Sequence, residues 1–286
     1  MTVTSEIRKT FNTYADAYAK AAVIQHEIGL RLLDRLSYLK LQPRRILDLG
    51  CGPGVFLQKL RQLYPDAYIV GVDLAEHMLS QAKQIDSGIT YALVQADMDH
   101  LPFAAETFDL IFANQVIHWS PALVSVLQAL NMVLAREGCL MFTTLGPDTF
   151  HELRHAFAMS DSYAHVNKFM DMHDIGDILL QLGFVDSVVD MEELTANYAT
   201  LAKLLRSLKT QGVKNIHPDR RMGLMGKHTW AKFVEHMCID SNAKYPLTYE
   251  VIYGHAWKNT VQTAKSGTKT FVSMERMRTL LGETCD

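Results

Sequence analysis

Apolar residues recur along this chain with two periods. Over 6–20 and 22–38 they return every three to four positions, with Ile28, Leu32, Leu33 and Leu36 on one face, which predicts two amphipathic helices. From residue 45 the pattern changes to short apolar runs near 45–49, 68–72, 90–94, 108–113 and 138–144, separated by helical patterns near 54–63, 75–85 and 121–135. Strands alternating with helices imply right-handed crossovers and a parallel sheet. The run Phe108–Ala113 is almost unbroken, as expected of a strand covered on both faces. Asp171 is placed to cap a further helix, which Gly183 closes, and 184–191 and 247–255 predict two last strands. The stretch 197–240 between them is too long for a plain connection and reads as a largely helical cap inserted over a pocket. The expected fold is therefore α/β, a doubly wound, mostly parallel, seven-stranded sheet of Rossmann-like type. A single domain over 1–258 has helices at 6–38, a core of 44–196 and 244–258, and a loose tail at 259–286.

Chemistry concentrates where strands end. The run Ile46-Leu-Asp48-Leu-Gly50-Cys-Gly52-Pro-Gly54 carries an acid and then glycines spaced G-x-G-x-G, not the G-x-G-x-x-G of a dinucleotide site. Glycines let a backbone approach a ligand that a Cβ would exclude, and Pro53 suits the first turn of the next helix. The second strand ends on Asp73-Leu74, where an acid can accept from both hydroxyls of a ribose. The third is followed by Gln95-Ala96-Asp97-Met98: Asp97 can accept from an adenine amino group while Met98 packs on the ring, or Asp97 simply caps a turn. Asn114 closes the fourth strand at the same carboxyl edge. Together these predict a pocket for S-adenosylmethionine, with S-adenosylhomocysteine as its product form.

Composition narrows the class. The chain has 286 residues, 48% hydrophobic and 21% charged, enough for one large core with an added subdomain. A net charge of −3 gives no global case for nucleic acid. Cys51, Cys139, Cys238 and Cys285 lie far apart, so neither a disulfide frame nor a metal site is expected. No signal-like or membrane-length apolar run is present, which points to a cytoplasmic protein without a membrane partner.

Longer motifs carry a resemblance. Phe11-Asn-Thr-Tyr14-Ala-Asp-Ala-Tyr18 with Gln25, Phe142-Thr-Thr-Leu-Gly-Pro-Asp-Thr-Phe-His151-Glu152-Leu153-Arg154, Phe169-Met-Asp171-Met-His173-Asp174, Leu205-Arg206-Ser-Leu208-Lys209 and Tyr249-Glu-Val-Ile-Tyr253-Gly254-His255-Ala-Trp257 are among them. Over roughly residues 6–258 the chain resembles the malonyl-acyl-carrier-protein O-methyltransferases of biotin synthesis, within the class I methyltransferase superfamily. Pro53 departs from the threonine familiar in such loops, a change expected to alter the turn slightly. The resemblance implies methyl transfer to the free carboxylate of a malonyl thioester on acyl carrier protein. Esterification then hides the charge from chain-extending enzymes.

That reaction sets the demands on the site. A carboxylic acid with a pKa of about 4 is already ionised at neutral pH, so no general base is expected; alignment and removal of water should dominate. Arg154 could hold the carboxylate bidentately, or be an ordinary surface arginine. Tyr14 and Tyr18, four apart, could cover the cofactor, and His118 and Trp119 could shape the thioester channel. In the inserted segment Lys203, Arg206, Lys209, Lys214, Arg220, Arg221, Lys227 and Lys232 are interrupted by one acid, Asp219. Arg206, Lys209, Lys214, Arg220 and Arg221 could thus form a basic rim for an acidic carrier, or a merely solvated face. Asn114-Gln115-Val116 lacks the Pro-Pro-aromatic pattern of base N-methyltransferases, and neither Cys51 nor Cys139 is placed as the nucleophile of a cytosine C5 enzyme. Two rivals remain open: a small-molecule O- or C-methyltransferase, for instance of a quinone precursor, using a base near His118, and a cofactor-binding regulator without turnover.

Overall fold

In the computed structural model, which describes residues 2–84, 91–217, 219–221 and 223–259, seven strands form one sheet in the order β3-β2-β1-β4-β5-β7-β6. Helices α1 (Val3–Ala21) and α2 (Val23–Ser37) precede β1 (Arg45–Leu49), α3 (Val55–Leu63), β2 (Tyr68–Asp73), α4 (Glu76–Gln84) and β3 (Ala92–Gln95). Then come β4 (Phe108–Ala113), a 3-10 turn at Ile117–Trp119, α5 (Leu123–Val133), β5 (Leu134–Leu145), α6 (His151–Ala158) and α7 (Met172–Gln181). Strand β6 (Phe184–Tyr198), α8 (Leu201–Thr210), α9 (Lys227–Glu235) and β7 (Tyr245–Lys258) complete the order. Pairing is parallel from β3 through β5, while β7 runs antiparallel to both β5 and β6.

The sheet is covered on both faces, and strand alternation shows it. Ile46, Leu110 and Phe112 pack with Leu32 of α2 and Leu57 of α3, whereas their neighbours Leu47, Ile111 and Ala113 pack with Leu127 of α5 and Leu179 of α7. Caps close the helices as the sequence predicts at Asp171, whose carboxylate accepts from the His173 amide at 2.8 Å, and at Gly183, with φ +84°.

Three elements differ from the sequence expectation. Helix α5 stops at Val133 and β5 begins at once, four residues early; Glu137 at φ +57° and a register shift against β4 absorb the irregularity. Strand β6 runs on to Tyr198, because an edge strand whose outer face is polar still has all the backbone partners that β7 offers. Among its described residues the segment 197–240 is consequently not largely helical: two short helices, α8 and α9, are found there, separated by described residues in turns and irregular backbone. The expected tail lies outside the described residues beyond 259, as does Cys285, and so do the last position of the helix expected to 85 and the first of the strand expected from 90.

Candidate active site

The carboxyl ends of β1, β2, β3 and β4 open into a crevice of about 90 Å³, lined by Gly50, Gly52, Asp73, Leu74, Ala96, Asp97, Met98 and Asn114 and closed by Ile7, Phe11 and Tyr18 of α1. Its floor is held by the turn after β1. The Gly52 amide donates to Asp73 Oδ2 at 2.9 Å, and the Ala75 amide to Asp73 Oδ1 at 2.8 Å. Gly52 sits at φ +53°, and a Cβ there would meet no protein atom within 4 Å: the space it would fill is the crevice itself. Gly50, at φ +68°, instead leaves room for Val116, whose Cγ2 would lie 2.5 Å from an added Cβ.

Asp48 faces an adjoining recess of about 60 Å³ that shares Tyr18, Gly50, Gly52 and Asn114 with the crevice. Its Oδ2 is buried without a hydrogen-bond partner, and neither Asp48 nor Asp73 has an ion-pair partner among the described residues. Burial, reinforced by the charge of Asp73, pushes the Asp48 carboxyl up to about 8. Asp73 is pushed up to about 6 by burial, against the pull of the Ala75 and Gly52 amides. Two desolvated acids lacking a protein cation fit a ligand that brings its own positive charge, as S-adenosylmethionine does in its sulfonium and ammonium groups.

Beside the crevice, bordered by Tyr18 and Trp119, lies a small chamber of about 30 Å³. It shares Phe11, Tyr18, Gln115 and Trp119 with the crevice, and Phe150, Asn167, Phe169 and Val213 with an outer cavity of about 430 Å³. His118 lines the chamber, held edge-on to Phe169 with ring centres 5.8 Å apart. Burial lowers its pKa to about 3, so its imidazole is neutral. Gln25 also lines the chamber and donates to Gln211 Oε1 at 3.0 Å, tying α2 to the end of α8.

Several predicted site residues fall elsewhere. Gly54 lies outside the crevice; it faces α4, where a Cβ would stand 2.9 Å from that of Ala82. The Gln95 side chain is exposed and donates to the Leu74 carbonyl at 3.2 Å, beside the crevice without lining it. Asp97 both lines the crevice and caps a turn, accepting from the Asp99 amide at 3.1 Å. Asn114 is fixed from both sides, donating to the Gln25 carbonyl at 3.0 Å and accepting from Thr143 Oγ1 at 2.8 Å. Tyr18 borders the crevice, but Tyr14, one turn earlier, lines the outer cavity. Trp119 packs edge-on to Phe11 between crevice and chamber, ring centres 5.4 Å apart.

Arg154 does not meet the site. It is exposed on α6, lines none of these cavities, and spends its guanidinium on the carbonyls of Pro147 at 2.5 Å and Thr149 at 3.1 Å. The basic rim also divides. Lys214 pairs with Glu6 at 2.8 Å and Arg220 with the same carboxylate at 3.4 Å, which staples the inserted segment to α1; Arg221 pairs with Asp161 at 3.3 Å. Arg206 and Lys209 remain exposed on α8, Lys209 at the outer cavity.

Ile7, Phe11, Gln25, Phe150, Asn167 and Gln211 shape these spaces without having been singled out as site residues. For Ile7 and Phe11 a signal existed, since they share a helical face with Tyr18. Among the described residues no cluster of metal-ligating side chains occurs, and no helix is long and apolar enough to cross a membrane.

A family model described as a methyltransferase domain matches residues 42–170. The chain is 53% identical over 280 residues to the malonyl-[acyl-carrier protein] O-methyltransferase of Legionella pneumophila, an alignment covering 97% of this chain and 99% of that one. It is 42% identical to the protein of the same description from Gallionella capsiferriformans, covering 91% and 93%. Among solved structures, the YcgJ protein of Bacillus subtilis matches with a TM-score of 0.59 at 15% identity, covering 82% of this chain and 99% of that chain. A SAM-dependent methyltransferase from Thermotoga maritima matches with a TM-score of 0.53 at 14% identity, covering 88% and 100%. At such identities the two structures speak for the fold alone.

Proposed function

Because this chain belongs to the malonyl-[acyl-carrier protein] O-methyltransferase family, we propose that its crevice takes S-adenosylmethionine and its chamber the free carboxylate of a malonyl group delivered on acyl carrier protein. The observation that carries this reading is the adjacency of crevice, chamber and outer cavity, which share wall residues in turn, so that two ligands would approach each other from opposite ends at Tyr18 and Trp119. When bound, S-adenosylmethionine supplies an electrophilic methyl group on a positively charged sulfur.

The residues of the chain then have distinct tasks. Asp73 accepts from the ribose, Leu74, Ala96, Asp97 and Met98 surround the base, and Gly50, Gly52 and Asn114 give the backbone approach and the wall beside Asp48. Asp48 and Asp73 counter the cofactor's positive charge. Tyr18, Trp119 and Phe11 exclude water where the acceptor oxygen must stand, and stripping water from that oxygen raises its nucleophilicity. Tyr14 and Lys209 lie along the outer cavity, wide enough for a thioester arm, while Arg206 and Lys209 offer exposed positive charge to an acidic carrier.

A neutral small-molecule acceptor would need a base near His118. A histidine with its pKa lowered to about 3 is a poor one at neutral pH, which favours an acceptor that arrives ionised. The test is incubation with methyl-labelled S-adenosylmethionine and malonyl thioesters of carrier protein and of coenzyme A. The malonyl methyl ester is expected, faster from the carrier protein; no ester from either would overturn the reading.

A further inference from the structure

Among the described residues the chamber contains no lysine or arginine: its polar lining is Gln25, Gln115, His118, Asn167, Gln211, the Tyr18 and Tyr249 hydroxyls and the Trp119 indole N–H. Most of these groups are already engaged. Gln115 donates through Nε2 to the Thr144 carbonyl at 3.4 Å, Gln211 accepts from both Gln25 and Tyr249 and donates to Ser207 at 2.8 Å, and Asn167 donates to the Lys214 carbonyl at 3.0 Å. His118 is different, because its Nδ1 is buried with no partner. A buried polar nitrogen left unsatisfied is destabilising, a cost that a ligand group reaching it would remove. Among the described residues lining the chamber, the other fully buried polar atom without a partner, Gln25 Oε1, is an acceptor and cannot hold an anion.

On the reading that the chamber receives the malonyl carboxylate, we infer that His118, through Nδ1–H of its neutral imidazole, donates the hydrogen bond that positions this carboxylate, and that no side-chain cation does so. Neutrality of the ring is consistent with its burial against Trp119 and Phe169, where a charged ring would be strongly disfavoured. The arrangement has a chemical advantage. A guanidinium held bidentately on the acceptor would draw off its charge and occupy both oxygens, whereas one neutral donor fixes a single oxygen and leaves the other free.

The test compares binding of S-malonyl-pantetheine and of its methyl ester, without the methyl donor, to the wild-type chain and to His118→Phe and His118→Gln. The wild type is expected to prefer the free acid. His118→Phe should weaken acid binding about tenfold or more while leaving the ester nearly unchanged, and His118→Gln, which keeps a donor, should recover part of the loss. Nitrogen NMR of histidine-labelled protein should show the Nδ1–H signal shifting on addition of the acid and not of the ester. Unaltered S-adenosylhomocysteine affinity and melting temperature confirm folded variants; should His118→Phe be misfolded, His118→Gln and the NMR titration decide alone. Equal acid binding by wild type and folded His118→Phe, or an unmoved Nδ1–H signal, would overturn the inference. Loss of wild-type turnover with every malonyl thioester would instead overturn the functional reading on which it rests.

Discussion

The Gly52 amide and the Asp73 carboxylate, 2.9 Å apart, tie the turn after β1 to the end of β2, so the acid at the crevice also holds the glycine loop that shapes it. Replacing Asp73 with Ala removes the acceptor for both the Gly52 and Ala75 amides as well as the proposed ribose contact. Hydrogen bonds to a charged group contribute about 1.5–3 kcal/mol each, so S-adenosylhomocysteine affinity should fall by more than tenfold and the melting temperature should drop. Titration calorimetry and thermal denaturation check both; unchanged affinity would remove Asp73 from the cofactor site.

A second expectation concerns pH. An unfolded aspartate titrates near pH 3.9, about four units below the value of about 8 that burial and Asp73 give Asp48. Between the two the folded chain holds a proton that the unfolded chain has lost, so this group's contribution to stability is complete at about pH 4 and vanishes as pH rises through about 8. A cationic ligand favours the ionised acid. S-adenosylmethionine should therefore bind with proton release near pH 7 and more tightly as pH rises, measurable by calorimetry in buffers of different ionisation heat. Asp48→Asn should abolish the proton release.

The crevice was legible because its parts are local: a strand, a glycine turn and an acid at the next strand's end are each contiguous in sequence. Strands β1, β2 and β4 were legible for a related reason, since burial on both faces leaves an unbroken apolar run. The far half of β6 was not, because Glu192-Glu-Leu-Thr-Ala-Asn-Tyr198 alternates polar and apolar positions on an edge, where only β7 reveals the strand. Arg154 failed for want of orientation. Glu152 turns inward to accept from Thr248 Oγ1 at 2.6 Å, and two residues later the helix has turned by about 200°, which carries Arg154 to the outside. The chamber and outer cavity draw on α1, α6, α8 and the stretch 165–169, whose convergence no local pattern announces.

Two glycines of the same loop should behave differently. Gly54→Ala forces a side chain into φ +86° and to 2.9 Å from Ala82, so it should cost about 1–3 kcal/mol of stability. Gly52→Ala meets no protein atom within 4 Å and carries only the backbone strain of φ +53°, about 1 kcal/mol, yet its methyl group enters the crevice. The expected result is that Gly52→Ala loses more cofactor affinity and Gly54→Ala more stability. The reverse order, read by calorimetry and by denaturant unfolding, would contradict the assignment of Gly52 to the cofactor and Gly54 to helix packing.

The division within the basic segment makes the last prediction. Arg206 is exposed, outside the outer cavity and without an ion pair among the described residues, whereas Lys214 and Arg220 both grip Glu6 of α1. Arg206→Glu should raise KM for carrier-bound malonyl by about tenfold, with a reduced dependence on salt, and leave KM for a small malonyl thioester nearly unchanged. Lys214→Glu would instead set two carboxylates against each other at the α1 junction, lowering stability and impairing both substrates alike. Steady-state kinetics on the two substrates at low and high salt separates the cases, and equal effects of Arg206→Glu on both would remove α8 as the carrier's docking face.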